Sequence, residues 1–91
     1  MPEYRHEAVV YRTDGSSYSL DHRPTLLEAQ RIVDGYVEQE KVKGAVIICN
    51  EDGKSMNLPV NYKVTELYGS QVYGGIFVGD CIVLKGWRTV G

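Results

Sequence analysis

The sequence predicts an α+β fold: a small single domain, residues 1–91, mainly antiparallel β-sheet, with an N-terminal hairpin and two short helices. Three observations argue for it. Residues 45–49 and 81–84 (AVIIC and CIVL) are short apolar runs rich in β-branched side chains, the pattern of buried strands. Asp14-Gly15 and Asp52-Gly53 punctuate the chain with the dipeptide that tight turns favour. Thr25-Leu26-Leu27-Glu28 has capping-box spacing and opens an amphipathic segment.

In chain order, residues 3–12 read as a first strand centred on Ala8, Val9, Val10 and Tyr11. Asp14-Gly15 turns it into a short return strand over residues 16–20. Tyr4, Tyr11 and Tyr18 suit half-buried sheet positions, ring inside and hydroxyl at the rim. Residues 21–24 form a loop before the first helix. Leu26, Ala29, Ile32 and Val33 make its apolar face, and Gly35 is its expected stop. Residues 36–42 alternate weakly, which suits an edge strand, and Lys43-Gly44 leads into the central run 45–49. Asn50-Glu51-Asp52-Gly53 is then a turn in which Gly53 is expected to adopt a positive φ. A second short helix, Tyr62–Tyr68, closes at Gly69. A glycine-bearing loop (69–75), an apolar triplet (76–78) and the last strand (81–84) complete the domain, with residues 86–91 continuing the strand or fraying.

Composition narrows the classes of function. The chain is 43% hydrophobic and 24% charged, which argues for a folded domain. At 91 residues it can bury one modest core, with little room for a deep enclosed active site. A net charge of −2 supplies no global field to attract nucleic acid, and the lysines at 41, 43, 54 and 63 are interspersed with glutamates. No apolar run nears the roughly 20 residues of a membrane span, and the first residues lack a signal-peptide core, so a soluble, cytoplasmic protein is expected. Cys49 and Cys81 sit inside apolar runs and read as buried reduced thiols. Without a Cys-x-x-Cys pair, and with His6 and His22 remote, neither a metal site nor a cofactor is predicted.

Several stretches taken together resemble a known family: residues 29–38 (AQRIVDGYVE), the Asn50-Glu51-Asp52-Gly53 turn, residues 58–68 (LPVNYKVTELY) and Val78-Gly79-Asp80. They are similar to the small bacterial and phage domain catalogued as domain of unknown function 3846, over about residues 25–84. Members often carry alanine where this chain has Val64, a change that only adjusts packing. The resemblance implies a home on phages, plasmids and other mobile elements, and it brings no assigned catalytic residues.

The candidate ligand- or partner-binding residues are Asn50, Glu51, Asn61, Tyr62 and Lys63. If the segment after the turn returns beside the central strand, two amides, a carboxylate, a ring and an ammonium would share one surface, suited to a polar planar ligand or a protein loop. The plainer alternative is local: Asn50 makes an Asx-turn and Asn61 caps the second helix, a task aspartate at 61 would perform as well. Glu51 and Asp52 are adjacent turn residues that point apart, and Gly69, Gly74, Gly75 and Gly79 form no phosphate-loop pattern. Tyr62, Tyr68, Tyr73 and Trp87 could stack on a base or serve as core and rim packing. The leading expectation is a non-enzymatic accessory protein of a mobile element that binds a host protein or a nucleotide-like small molecule. The alternatives are a small enzyme using Glu51, Asp52 and Asp80 on a phosphorylated or nucleotide substrate, and a homo-oligomerisation module built on the edge strand.

Overall fold

The computed structural model describes residues 7–86. Five strands are present: β1 (Glu7–Tyr11), β2 (Ser17–Leu20), β3 (Val37–Val42), β4 (Ala45–Asn50) and β5 (Cys81–Lys85). The helices are α1 (Leu26–Val33) and α2 (Tyr62–Tyr68). One sheet contains all five strands in the order β2-β1-β5-β4-β3, each neighbouring pair antiparallel. The expected α+β class, the hairpin and both helices are therefore present. Residues 3–6 of the expected first strand and residues 87–91 lie outside the described part.

The hairpin follows from its turn chemistry. Asp14 Oδ1 accepts from the Ser16 N–H at 2.8 Å and from its hydroxyl at 2.6 Å, while Gly15 takes φ +93°, a conformation costly for residues with a Cβ. Arg12 lies over the Tyr18 ring, 4.8 Å from its centroid, so this ring, 38% exposed, is partly covered as expected and also serves as a cation platform. In α1 the capping box forms as spaced: the Glu28 N–H donates to Thr25 Oγ1 and the Thr25 N–H to Glu28 Oε1. The helix ends one residue before the expected stop. Asp34, with φ 59°, supplies the left-handed cap, and the Gly35 N–H closes on the Gln30 carbonyl at 3.0 Å.

Each face of the sheet carries one helix. Ala29 and Val33 of α1 pack on Ala8, Val10, Ile48, Ile82 and Leu84. On the opposite face Val64 and Tyr68 of α2, with Phe77, cover Ile47, Cys49, Cys81 and Val83. Successive residues of β4 and β5 thus enter different cores, which is why these strands read as unbroken apolar runs rather than alternating ones. Ile47 and Ile82 are both completely buried, each contributing about 1.5–3 kcal/mol by leaving water.

Both thiols are free and buried in the second core. Burial, with a smaller push from Glu38 and Glu40, raises Cys49 to about 11, and burial drives Cys81 higher still. They remain protonated at neutral pH and serve as apolar packing, as expected from the sequence. The triplet 76–78 is not a named strand: Val78 makes an isolated bridge to Val60, the Asn61 N–H donates to the Phe77 carbonyl at 2.8 Å, and Phe77 packs in the second core. A 3-10 turn, Gly69–Gln71, opens the loop before it.

Candidate functional site

Asn61 caps α2, and its side chain does much more. It is fully buried. Its Oδ1 accepts from the Val64 N–H at 3.2 Å, while Nδ2 donates to the carbonyls of Tyr11 at 2.8 Å and Gly79 at 2.9 Å. One amide therefore ties the start of α2 to the end of β1 and to the approach of β5. Only a side chain with both an acceptor and two N–H donors fills this role. The expectation that aspartate could stand in at position 61 is overturned, because a carboxylate would turn oxygen towards two carbonyl oxygens. Nearby, Thr65 Oγ1 accepts from the Phe77 N–H at 2.9 Å and fastens residues 76–78 beside the helix.

Asn50, at the end of β4, is also buried. Its Oδ1 accepts from the Asp52 N–H at 2.8 Å, the Asx-turn read from the sequence. Its Nδ2 donates to the Val33 and Asp34 carbonyls at 3.0 and 3.2 Å, satisfying the open end of α1. A Cβ on Gly35 would stand 2.7 Å from that nitrogen, so glycine there keeps room for the amide. Gly53 departs from expectation: the left-handed residue in this stretch is Asn57, with φ 56°. Gly53 is required for space instead, since a Cβ would lie 2.8 Å from Val78 Cγ2 and 3.3 Å from the Asn50 carbonyl.

The turn after β4 and the loop after α2 enclose a groove of about 120 Å³ against β3. Glu38, Glu40 and Glu51 line it together with Lys54, while Tyr73, Ile76 and Phe77 supply apolar surface. Glu38 and Glu40 are two residues apart on one strand and so share a face. Partial burial raises the Glu38 carboxyl above its ordinary range, and the Glu40 carboxyl and the Glu51 charge add to the rise. Tyr73 is fully exposed and Ile76 is 40% exposed.

The five sequence candidates divide. Asn50 and Glu51 line the groove. Asn61 is sealed in the interior, whereas Tyr62 and Lys63 are exposed on α2, where Lys63 stands 3.7 Å from Glu66. The groove contains none of these last three. Nor do the tyrosines form one stacking surface: Tyr68 is core, Tyr62 and Tyr73 are exposed, and Trp87 lies outside the described residues. Asp80 lines a different hollow, of about 180 Å³, together with Thr13, whose N–H donates to Asp80 Oδ1 at 3.0 Å. Glu51 and Asp52 are exposed turn residues.

Sequence reasoning missed the groove's principal wall. The signal was present as Val37-Glu38-Gln39-Glu40, with acids two apart on a strand already expected at an edge. Locating the opposite wall needed the return of residues 72–78 to β4. Among the described residues no three His, Cys, Asp or Glu side chains are grouped to hold a metal ion, and no helix is long and apolar enough to cross a membrane.

A family model described as Domain of unknown function (DUF3846) matches residues 6–89, nearly the whole chain. No curated protein and no solved structure matches it.

Proposed function

As the chain belongs to the DUF3846 family, we propose that it is a non-enzymatic binding protein: an accessory factor of a phage or other mobile element that acts by holding a host protein. The observation that carries this is the groove between β3 and the 72–78 loop. It combines an acidic strand face with exposed apolar side chains, Tyr73 and Ile76, on a surface left open. Its size favours a protein segment over a nucleotide-like ligand. About 120 Å³ is well short of the roughly 300–1,000 Å³ that encloses a drug-sized molecule. A partner can instead lay a few side chains into it while the rest of its contact spreads over the rim.

The mobile-element setting is what the family resemblance implies. Geometry disfavours the enzymatic alternative, because Glu51 and Asp80 line separate grooves and cannot converge on one substrate atom.

The test is capture from bacterial lysate with the parent chain and with Ile76→Asp, checked for unchanged melting, alongside native mass spectrometry of the freshly purified protein. A protein retained by the parent and lost by the variant supports the proposal. Equal capture by both, or a co-purifying small molecule with no protein partner, would overturn it.

A further inference from the structure

We propose that the outer edge of β3, at the rim of the groove, takes an extended basic peptide segment as a sixth strand, with alternate lysine or arginine side chains on the groove face beside Glu38 and Glu40. The inference rests on the binding reading above and names the chemistry of the partner.

Three observations converge. First, β3 is an edge, with β4 as its sheet neighbour on one side. Alternate N–H and C=O groups of an edge strand point away from the sheet and can pair with an incoming chain. Second, the face of β3 towards the groove is acidic. Glu38 and Glu40 project there and Glu51 joins them, against the single positive charge of Lys54 among the lining residues. Burial first, and then Glu40 and Glu51, push the Glu38 carboxyl up, and among the lining residues these neighbouring carboxylates have only Lys54 as a compensating cation. A cation on the incoming segment adds to that compensation. Third, Tyr73 stands fully exposed at the groove, an aromatic face for an alkyl stem or a guanidinium.

The same charges argue against a second copy as the occupant. Two-fold antiparallel pairing of β3 with itself runs about an axis normal to the sheet, so each face stays on its own side. Even-numbered residues must then oppose even-numbered residues. In the registers centred on residue 38, 39 or 40, of which the last two pair most of the strand, a glutamate of one copy opposes a glutamate of the other, and like charges across a sheet are destabilising. The other edge, β2, offers no comparable feature: Ser17, Tyr18 and Ser19 are exposed and none of them lines the groove.

The probe is a synthetic hexapeptide alternating lysine and threonine, titrated into the isotope-labelled full chain while backbone amide signals are followed. Shifts concentrated at residues 37–42 and 72–78 are expected. Affinity should fall at least about tenfold in the Glu38→Gln, Glu40→Gln double variant, as for removal of close charge pairs. It should fall comparably for a peptide of the same charge whose threonines are replaced by proline, which cannot donate strand hydrogen bonds. Both glutamates are outside the two cores, and a melting curve confirms folding of the variant. Equal binding of the proline peptide would mean charge attraction without strand addition and overturns the proposal. So would shifts located elsewhere, an undiminished double variant or absence of binding. Peptide-free shifts at β3 that grow with protein concentration would assign the edge to a second copy. If the peptide fails while Ile76→Asp still abolishes capture from lysate, the binding role stands and the basic-strand assignment alone falls.

Discussion

Replacing Asn61 by aspartate changes one nitrogen to oxygen and should be among the most damaging single substitutions in the chain. The bond to the Val64 N–H survives, but the two donations to the Tyr11 and Gly79 carbonyls are lost. The Tyr11 carbonyl loses this donor and the Gly79 carbonyl keeps the weak Cys81 S–H at 3.4 Å, each loss costing about 1–3 kcal/mol for a buried group. The new carboxylate must also be desolvated at a position with 0% exposure, so its pKa rises and it recovers part of the loss by taking a proton. A total of about 3–6 kcal/mol is expected, a large share of the roughly 5–15 kcal/mol that holds a domain together. For a chain of this size that corresponds to a fall in melting temperature of at least roughly 12 °C. The pH dependence has a definite sign. A folded pKa above the unfolded one means the folded state binds the extra proton, so the penalty shrinks as pH falls below the folded value and grows as pH rises through it. Thermal melts of parent and Asn61→Asp at pH 7 and pH 5 test this. A variant melting within about 2 °C of the parent at pH 7 would refute the account of Asn61 as a two-donor clamp.

Gly53→Val should destabilise by about 1–3 kcal/mol through overpacking, and pairing it with Val78→Ala should restore part of the loss, both read from urea titrations; no recovery would mean the crowding lies elsewhere. His22 bridges Asp21 at 2.6 Å and Glu28 at 3.0 Å, and these bonds, Asp21 first, raise its pKa above 6.5. Its contribution is therefore complete below the unfolded pKa and disappears as pH rises through the folded value. An NMR titration should show the elevation and its reduction in Glu28→Gln; an unchanged midpoint in the variant would contradict the bridge. Native protein at pH 8 should leave Cys81, which is completely buried, unmodified by a thiol reagent for as long as it stays folded, while Cys49, at the wall of the groove, reacts slowly and both react in denaturant. Rapid labelling of Cys81 in the folded chain would show that the second core opens.

The elements that could be read in the sequence are those whose cause is local. The Thr25 capping box, the Asp14-Gly15 hairpin and the buried runs of β4 and β5 depend on neighbours within a few residues. Gly53 misled because Asp-Gly carries the same letters whether glycine is needed for backbone twist or for space, and Val78, which decides the matter, is 25 positions away. Asn61 was legible as a cap and illegible as a clamp, since Tyr11 lies 50 residues earlier. The groove suffered similarly. Glu38 and Glu40 announced a charged edge, but their opposite wall comes from a loop more than 30 residues later.

The position of β5 bears on how this molecule is made. The middle of the sheet is its latest strand, wedged between β1 and β4. During synthesis the β1–β2 and β3–β4 hairpins can each close as they emerge, yet neither has a neighbour to shield its inner edge until residues 81–85 arrive. Both edges stay open for pairing throughout that interval, which is when a nascent sheet protein is most exposed to wrong partners. Joining the domain is thus one late insertion event, in which β5 completes two cores at once. A chain stopped before Cys81 would leave two ribbons with no strand pairing between them, each open to whatever strand comes near.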